Sequence, residues 1–349
     1  MGTFSLLAVL AGAGYLLIYK RYRALDQSEF DQPVLDLQKL PAEISAGHAG
    51  TLDRLRAFTA GGQPVSAAAA RIRMDEFLNQ PVDAGIENVV CNGVPGEWVT
   101  AEGADPNRRL LYLHGGAFRV GSPLSHRYIT SELSRLAGVS VLAIDYRMLP
   151  EYKVLACHED ARTAYRWMLN NGPAGNTDPA AKVYVAGDSA GANMTLVLAA
   201  WVRDQRVKKI DAAIAMAPLT DATMQSPSFR RNVPTDPFLG PSLGKLVRMP
   251  SFALSLFSSF GMGTNSTSPA VSPLLGPLDS LPPILLQVSN AEMLYDDSVR
   301  YCNKAQASGS PVELQAWPTL VHIFQAFGPD LPEAKDALQL QAEFLNAHN

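Results

Sequence analysis

The chain has 349 residues, of which 47% are hydrophobic and 18% are charged, and its formal net charge is −4. This composition is typical of a globular protein with a large core, and the absence of any long run of Lys or Arg argues against a nucleic-acid-binding surface. The three cysteines, Cys91, Cys157 and Cys302, lie far apart, and there is no CxxC and no Cys/His ligand spacing, so the sequence implies neither a zinc site nor a disulfide framework. We therefore predict no metal site.

The first element is an apolar segment at the N-terminus. Residues 3–19 carry no charge, and Lys20, Arg21 and Arg23 follow at once. A helix of this length spans about 25 Å, the short end of what crosses a bilayer. Because the cations follow the segment, it differs from a secretory signal, and the next domain should stay in the cytoplasm. We predict that residues 1–23 anchor the protein to the cytoplasmic face of a membrane; the alternative is a helix that packs on the protein or pairs two subunits in a homodimer.

The next region, residues 24–85, is of mixed polarity and helical character, and the sequence GGQP at 61–64 interrupts it. From residue 89, short β-rich runs alternate with helical stretches. Several of the runs are continuously apolar, as expected for parallel strands covered on both faces. This alternation predicts an α/β protein with a mostly parallel central sheet flanked by helices. The expected strands are 109–113, 139–145, 183–186, 212–216, 284–288 and 312–316, and the expected helices are 161–169, 193–202 and 297–307.

Residues 219–269 interrupt the alternation. They are rich in Pro, Ser, Phe and Met, and Phe252, Phe257 and Phe260 lie close together. We interpret this stretch as an excursion from the sheet that packs as a lid. The α/β core then consists of residues 86–218 and 270–349.

The motif GDSAG at residues 187–191 lies between an expected strand and an expected helix. A serine hydroxyl becomes a good nucleophile when it projects from a tight turn next to a base, and Gly187 and Gly191 permit such a turn. We therefore predict Ser189 as a nucleophile. The alternative is an ordinary glycine-rich turn between a strand and a helix.

A second motif, HGGAF, begins at His114 directly after an apolar strand. Adjacent glycines at a strand end leave backbone N–H groups free to face a developing oxyanion. The predicted oxyanion hole consists of the N–H groups of Gly115, Gly116 and Ala190. His114 could itself act as a base, but because it precedes the loop we expect it to anchor the loop by a hydrogen bond.

A serine nucleophile of this kind is followed along the chain by an acid and then by a histidine. Of the six histidines, His322 follows the last expected strand, and we predict it as the base, with a structural histidine as the alternative. Three carboxylates after strand 284–288 are candidate acids. Asp296 and Asp297 fall at a helix start, where carboxylates also favour the helix N-terminus, whereas Glu292 lies in the loop.

In these motifs the chain resembles the bacterial hormone-sensitive-lipase-like esterases, also called family IV, and specifically their GDSAG subgroup. The resemblance covers residues 65–345. It implies an α/β-hydrolase fold with a helical cap, which places 24–85 and 219–269 in the cap. In the family's pattern the acid stands two residues before a leucine, so the resemblance implies Glu292. The segments that carry it, besides the two motifs, are PGEWV at 95–99, DYRMLPE at 145–151, LPP at 281–283, EMLYDD at 292–297 and WPTLVH at 317–322.

Residues next to the motifs are expected to line the substrate pocket, namely Phe118, Asp188 and Asn193. Asn290 and Asn193 depart from the family's pattern, at positions that are often acidic and usually small respectively. Neither departure touches the predicted catalytic residues. Both are expected to reshape the pocket.

The predicted function is hydrolysis of short- to medium-chain acyl esters of uncharged alcohols. A triad of Ser189, His322 and Glu292 would act through an acyl-enzyme without a metal or another cofactor. An amidase, peptidase or lactone hydrolase is the first alternative, because a fold does not determine its substrate. The second is a small-molecule receptor on a hydrolase scaffold, which would be expected to lack a triad member.

Overall fold

A computed structural model of the chain describes residues 19–23, 25–34, 38–40, 44–62 and 66–349. The predicted membrane anchor at residues 3–19 therefore lies outside the described residues except for Tyr19. None of the helices within the described ranges is long and apolar enough to cross a membrane.

The described residues contain nine strands, which form one sheet. In chain order the strands are β1 Gln38–Lys39, β2 Gly85–Cys91, β3 Val94–Thr100, β4 Asp105–Leu113, β5 Val139–Ile144, β6 Lys182–Asp188, β7 Ala212–Met216, β8 Ile284–Ser289 and β9 Val312–Trp317. Their order across the sheet is β1-β9-β8-β7-β6-β4-β5-β3-β2. Strand β3 runs antiparallel to β2 and β5, and the other neighbours are parallel. The predicted, mostly parallel sheet is confirmed.

In chain order the α-helices of the described residues are α1 Gly47–Ala60, α2 Ala67–Leu78, α3 Arg127–Ala137, α4 Val154–Met168, α5 Ala190–Gln205, α6 Pro227–Arg231, α7 Gly240–Leu243, α8 Ser251–Met262, α9 Tyr295–Ala307 and α10 Pro332–Ala347. Five of them, α3, α4, α5, α9 and α10, flank the sheet and explain why its central strands are apolar throughout. Helix α3 packs against α10, and α5 packs against α4 and β6. Every residue of β5, β7 and β8 is buried, as expected for strands covered on both faces.

Two stretches outside the sheet, 44–80 and 219–269, lie over the carboxyl ends of the strands, where both line one cavity. The preceding residues contact the core instead, because β1 pairs with β9 and Asp31 forms an ion pair with Arg300 on α9. Of the described residues in the N-terminal region, those that line the cavity lie between Phe58 and Leu78.

Candidate active site

Ser189 lies on the turn between β6 and α5, where its φ is 52° and its ψ is −113°. A residue with a side chain rarely adopts a positive φ, and such strain is common where a nucleophile projects from a tight turn. The flanking glycines let the turn pack on the end of β4. A Cβ atom on either Gly187 or Gly191 would collide with the carbonyl oxygen of Leu113.

His322 lies between Ser189 and a buried carboxylate. Its Nε2 is 3.0 Å from Ser189 Oγ, and its Nδ1 makes a hydrogen bond with Glu292 Oε2. Glu292 Oε1 accepts the backbone N–H of Ser289 at 2.7 Å, so both carboxylate oxygens are held. The ends of β6, β8 and β9 thus bring together three residues that are far apart in the sequence.

The pKa of His322 depends on opposing effects of its surroundings. Burial lowers this pKa, but the charge and hydrogen bond of Glu292 outweigh burial, and the charges of Asp236 and Asp188 add to them. The pKa of His322 is consequently raised above its ordinary value. Asp236 is held near the site because its Oδ2 accepts the N–H of Met293 at 2.9 Å.

The other two candidate acids attach α9 to the stretch that follows β7. Asp297 Oδ1 accepts the N–H groups of residues 220 and 221 at 2.8 and 2.9 Å. Asp296 Oδ2 accepts the N–H of Ser228 at 2.7 Å. Both carboxylates are therefore committed to backbone contacts at the base of residues 219–269, and Glu292 is the one that meets His322.

The predicted oxyanion hole needs one correction. The N–H of Gly115 donates to Asp188 Oδ1 at 3.0 Å, so it is already engaged. Gly116 and Ala117 have φ values of 115° and 54° and line the cavity beside Ser189. Within the described ranges no protein atom accepts the N–H of either residue. Ala190 is the first residue of α5, so its N–H has no partner within that helix. The available donors are thus Gly116, Ala117 and Ala190.

Ala117 is the site residue that sequence reasoning missed. The two adjacent glycines suggested two N–H donors to the oxyanion, but the first, Gly115, packs against the turn that carries Ser189 and its N–H is already bonded. A Cβ atom on Gly115 would collide with Asp188. Because the first N–H anchors the loop, the set of available donors moves one residue along the chain.

Asp188 connects the loop after β4 to the nucleophile turn. It is fully buried, and besides Gly115 its Oδ1 accepts the hydroxyl of Tyr112 at 2.7 Å. Its Oδ2 lies 3.3 Å from His126 Nε2. Burial raises the pKa of Asp188, but the charge of His126 and the hydrogen bonds lower it more, so Asp188 is ionised. This carboxylate holds Gly115, and with it the donors that follow, at a set distance from Ser189.

The predicted pocket role of Phe118, Asp188 and Asn193 is corrected by the structure. All three are buried, and none belongs to the described residues that line the cavity. Asn193 Nδ2 instead donates to the carbonyls of Leu219 and Val271, at 2.6 and 2.8 Å, which ties together the two ends of the inserted stretch. A position next to a motif did not indicate which way the side chain faces.

His114 anchors its loop, as expected. Its ring stacks on Tyr146 with centroids 4.2 Å apart, and its Nδ1 bonds the carbonyl of Gly115 at 2.8 Å. Burial lowers the pKa of His114 to about 3, so the ring stays neutral at physiological pH. A neutral histidine held in this way is a structural part of the loop.

A cavity of about 680 Å³ opens at Ser189 and His322. Its walls include Phe58 and Met74 from the N-terminal helices and Phe238 from the inserted stretch. In the part of the chain that the structure describes, no cluster of three His, Cys, Asp or Glu side chains is placed to hold a metal ion.

The chain is similar to known esterases. A family model for the alpha/beta hydrolase fold matches residues 110–326. An acetyl-hydrolase of Streptomyces hygroscopicus is 36% identical over 271 residues, which cover 78% of this chain and 85% of that protein. An esterase of Acinetobacter venetianus is 31% identical over 252 residues, which cover 72% and 78%. A crystal structure of an esterase from the bacterial hormone-sensitive lipase family has a TM-score of 0.77 and 31% identity, and covers 88% of this chain and 99% of its own.

These matches agree with the family that the motifs predicted, and the family model spans β5 to β9, the serine turn and the region of His322. The chain therefore belongs to the α/β-hydrolase fold family, within the bacterial hormone-sensitive-lipase-like esterases, and it is a serine hydrolase with esterase activity.

Proposed function

We propose that the protein is a carboxylesterase for short- to medium-chain acyl esters that works through a triad of Ser189, His322 and Glu292. One observation carries the proposal: His322 places Nε2 3.0 Å from Ser189 Oγ while its Nδ1 is bonded to Glu292. A base within hydrogen-bond reach of a hydroxyl, oriented by a carboxylate, is what an acyl-transfer nucleophile requires.

In the proposed mechanism, His322 Nε2 takes the proton of Ser189 Oγ as that oxygen attacks the ester carbonyl. The N–H groups of Gly116, Ala117 and Ala190 stabilise the negative charge that develops on the carbonyl oxygen. Glu292 stabilises the imidazolium, which then protonates the leaving alcohol. His322 then takes a proton from a water molecule as the water attacks the acyl-enzyme. The imidazolium returns this proton to Ser189 Oγ as the bond between Oγ and the acyl carbon breaks, which releases the acid product and restores the free serine.

We further propose that residues 44–80 and 219–269 form a cap that limits acyl length. Side chains from both stretches narrow the cavity beside Ser189. Each methylene that fits contributes about 0.8 kcal/mol of burial, and one that does not forces repacking. The acetyl-hydrolase activity named for the Streptomyces hygroscopicus relative supports a preference for short acyl groups.

The triad is tested by kinetics of single variants. We expect Ser189→Ala and His322→Ala to lower kcat by several orders of magnitude. The first variant lacks the oxygen that attacks the ester, and the second lacks the base that takes the proton from that oxygen. Glu292→Gln should lower it less, since it keeps the shape but not the charge. Asp296→Asn, remote from His322, is the matched control. An alanine variant at Ser189 that keeps a tenth of wild-type kcat contradicts the assignment.

The acyl preference is tested with p-nitrophenyl esters from acetyl to palmitoyl. We expect kcat/KM to peak among the short and medium chains and to drop once the chain exceeds the cavity. Matched anilides and lactones, assayed in parallel, test whether amide or lactone hydrolysis competes. Equal kcat/KM for acetyl and palmitoyl esters would refute a cap that limits the pocket.

A further inference from the structure

Helix α8 exposes two large aromatic side chains, although its protein-facing side consists of three serines and two apolar residues. Phe257 and Phe260 are 50% and 78% exposed, whereas the buried residues are Leu254, Ser255, Ser258, Ser259 and Met262. A surface helix ordinarily keeps its aromatic side chains towards the core and its serines towards water. The outer face of α8, with its two phenylalanines, therefore suits an apolar environment.

Hydrogen bonds fix this orientation. Ser258 Oγ donates to the carbonyl of Ala222 at 2.6 Å, and Ser259 Oγ accepts the N–H of Ser266 at 2.9 Å. Ser259 Oγ also donates to the carbonyl of Ser255 at 2.8 Å. Rotating the helix to bury its phenylalanines would leave the carbonyl of Ala222 and the N–H of Ser266 without these partners, at a cost of about 1–3 kcal/mol each.

The same face adjoins the end of the apolar N-terminal segment. The ring of Tyr19 lies 5.3 Å from that of Phe252, which is on α8. Just beyond α8, Asn265 Nδ2 donates to the carbonyl of Arg21 at 3.3 Å. Tyr19, the last residue of the uncharged sequence 3–19, therefore lies next to α8.

The surroundings of α8 carry positive charge. Lys20, Arg21 and Arg23 follow the apolar segment, and the exposed Lys245 and Arg248 precede α8. Between Asp236 and Asp279 the sequence contains no acidic residue, although the whole chain has a net charge of −4. An apolar face bordered by cations complements the anionic head groups and acyl region of a membrane surface.

We propose that the outer face of α8, centred on Phe257 and Phe260, rests on an anionic lipid bilayer. A second copy of the chain fits less well, because two such faces would bring their cations together. The face also lies beside the active-site cavity, since Arg119 lines the cavity and donates to the carbonyl of Gly261 at 3.3 Å. An ester dissolved in the lipid could then reach Ser189 over a short path.

A local fluorescent label tests this contact in the full chain. The three native cysteines are buried, so Phe260→Cys offers a selective site for an environment-sensitive NBD label. We expect vesicles of phosphatidylcholine and phosphatidylglycerol to shift its emission to shorter wavelength and to raise its intensity several-fold, and high salt to weaken the effect. Val90→Cys, 64% exposed on β2, is the matched control and should not respond.

Three results would overturn the proposal. The label could stay in water while the protein floats with the vesicles, which would mean that another part of the protein binds the membrane. It could report an apolar environment in dilute protein without vesicles, which would mean that residues 3–19 cover the face. Its emission could shift with protein concentration alone, which would indicate self-association.

Variants of the same face separate membrane contact from catalysis. In the labelled Phe260→Cys chain, adding Phe257→Gln should reduce the vesicle-induced rise in intensity several-fold, even where residues 3–19 keep the chain on the vesicle. Without the label, Phe257→Gln with Phe260→Gln should leave hydrolysis of a water-soluble acetyl ester within twofold of wild type. Ile72→Gln in the labelled chain, at a position 59% exposed on α2, is the control for loss of an exposed apolar side chain. A rise in intensity that Phe257→Gln does not change would also contradict the proposal. Neither binding readout requires turnover, so a wrong triad would not affect the result.

Discussion

The proton affinity of His322 is set by carboxylates that the sequence places far from it. Burial lowers its pKa, and the charges of Glu292, Asp236 and Asp188 raise it to a net value above the ordinary 6.5. A protonated imidazole cannot take the proton of Ser189. The proposed enzyme should therefore lose activity as the pH falls through this raised pKa, at a higher pH than an ordinary histidine would give.

Replacing Asp236 with Asn should shift this acid limb to lower pH. The change removes one negative charge near His322. The variant's single amide oxygen can accept either the N–H of Met293 or those of Phe238 and Leu239, which the two carboxylate oxygens accept separately. We expect the pH profile of kcat/KM to move by about a few tenths of a pH unit. Asp53→Asn, whose side chain is largely exposed on α1, is the control and should leave the profile unchanged. An unmoved limb, or one at higher pH, would contradict the assigned role of Asp236.

At the scale of elements, the buried carboxylate of Asp297 attaches α9 to the stretch that follows β7, close to a second buried carboxylate, that of Asp221. Burial raises the pKa of Asp297 to about 7, and the charge of Asp221 contributes. The pKa of Asp221 is also raised by burial. Between pH 4 and 7 the folded protein therefore binds more protons here than the unfolded chain. The contribution of Asp297 to stability is present at low pH and is lost as the pH rises through about 7.

Replacing Asp297 with Asn should reduce this pH dependence. The amide oxygen can still accept the N–H groups of residues 220 and 221, and no charge is buried. We expect the free energy of unfolding, measured with urea from pH 5 to 8, to decrease less steeply in the variant, by up to a few kcal/mol. Asp279→Asn, at an exposed position, is the control. Identical slopes for wild type and variant would show that this carboxyl is not the group responsible.

At the scale of the whole molecule, we propose that residues 3–19 tether the protein to a membrane. Cells that express the full chain should hold it in the membrane fraction, and a chain that begins at Ala24 should move largely to the soluble fraction, because it lacks the apolar segment. Both forms should hydrolyse a soluble ester alike. Recovery of both in the soluble fraction without detergent would exclude the tether, and sedimentation would then test whether the segment pairs two subunits.

Local sequence was enough for the central architecture and for the nucleophile. Strands β5 to β8 are apolar runs that a parallel sheet covered by helices requires, and their bounds agree with the expected ones to within a few residues. The turn at Ser189 follows from Gly187 and Gly191, which the close approach of Leu113 requires. Helix α10 was not predicted, although it begins at Pro332, a common first residue of a helix.

Tertiary contacts decided what sequence position left open. Glu292, Asp296 and Asp297 lie within six residues, yet one meets His322 and the others hold backbone N–H groups of the inserted stretch. The same holds for Gly115, whose N–H is taken by a carboxylate far along the chain. Secondary-structure propensity and motif spacing depend only on residues that are close together in the sequence. The partner of a buried carboxylate or a free N–H depends on which chain segments the fold brings together, and only the packed structure determines that.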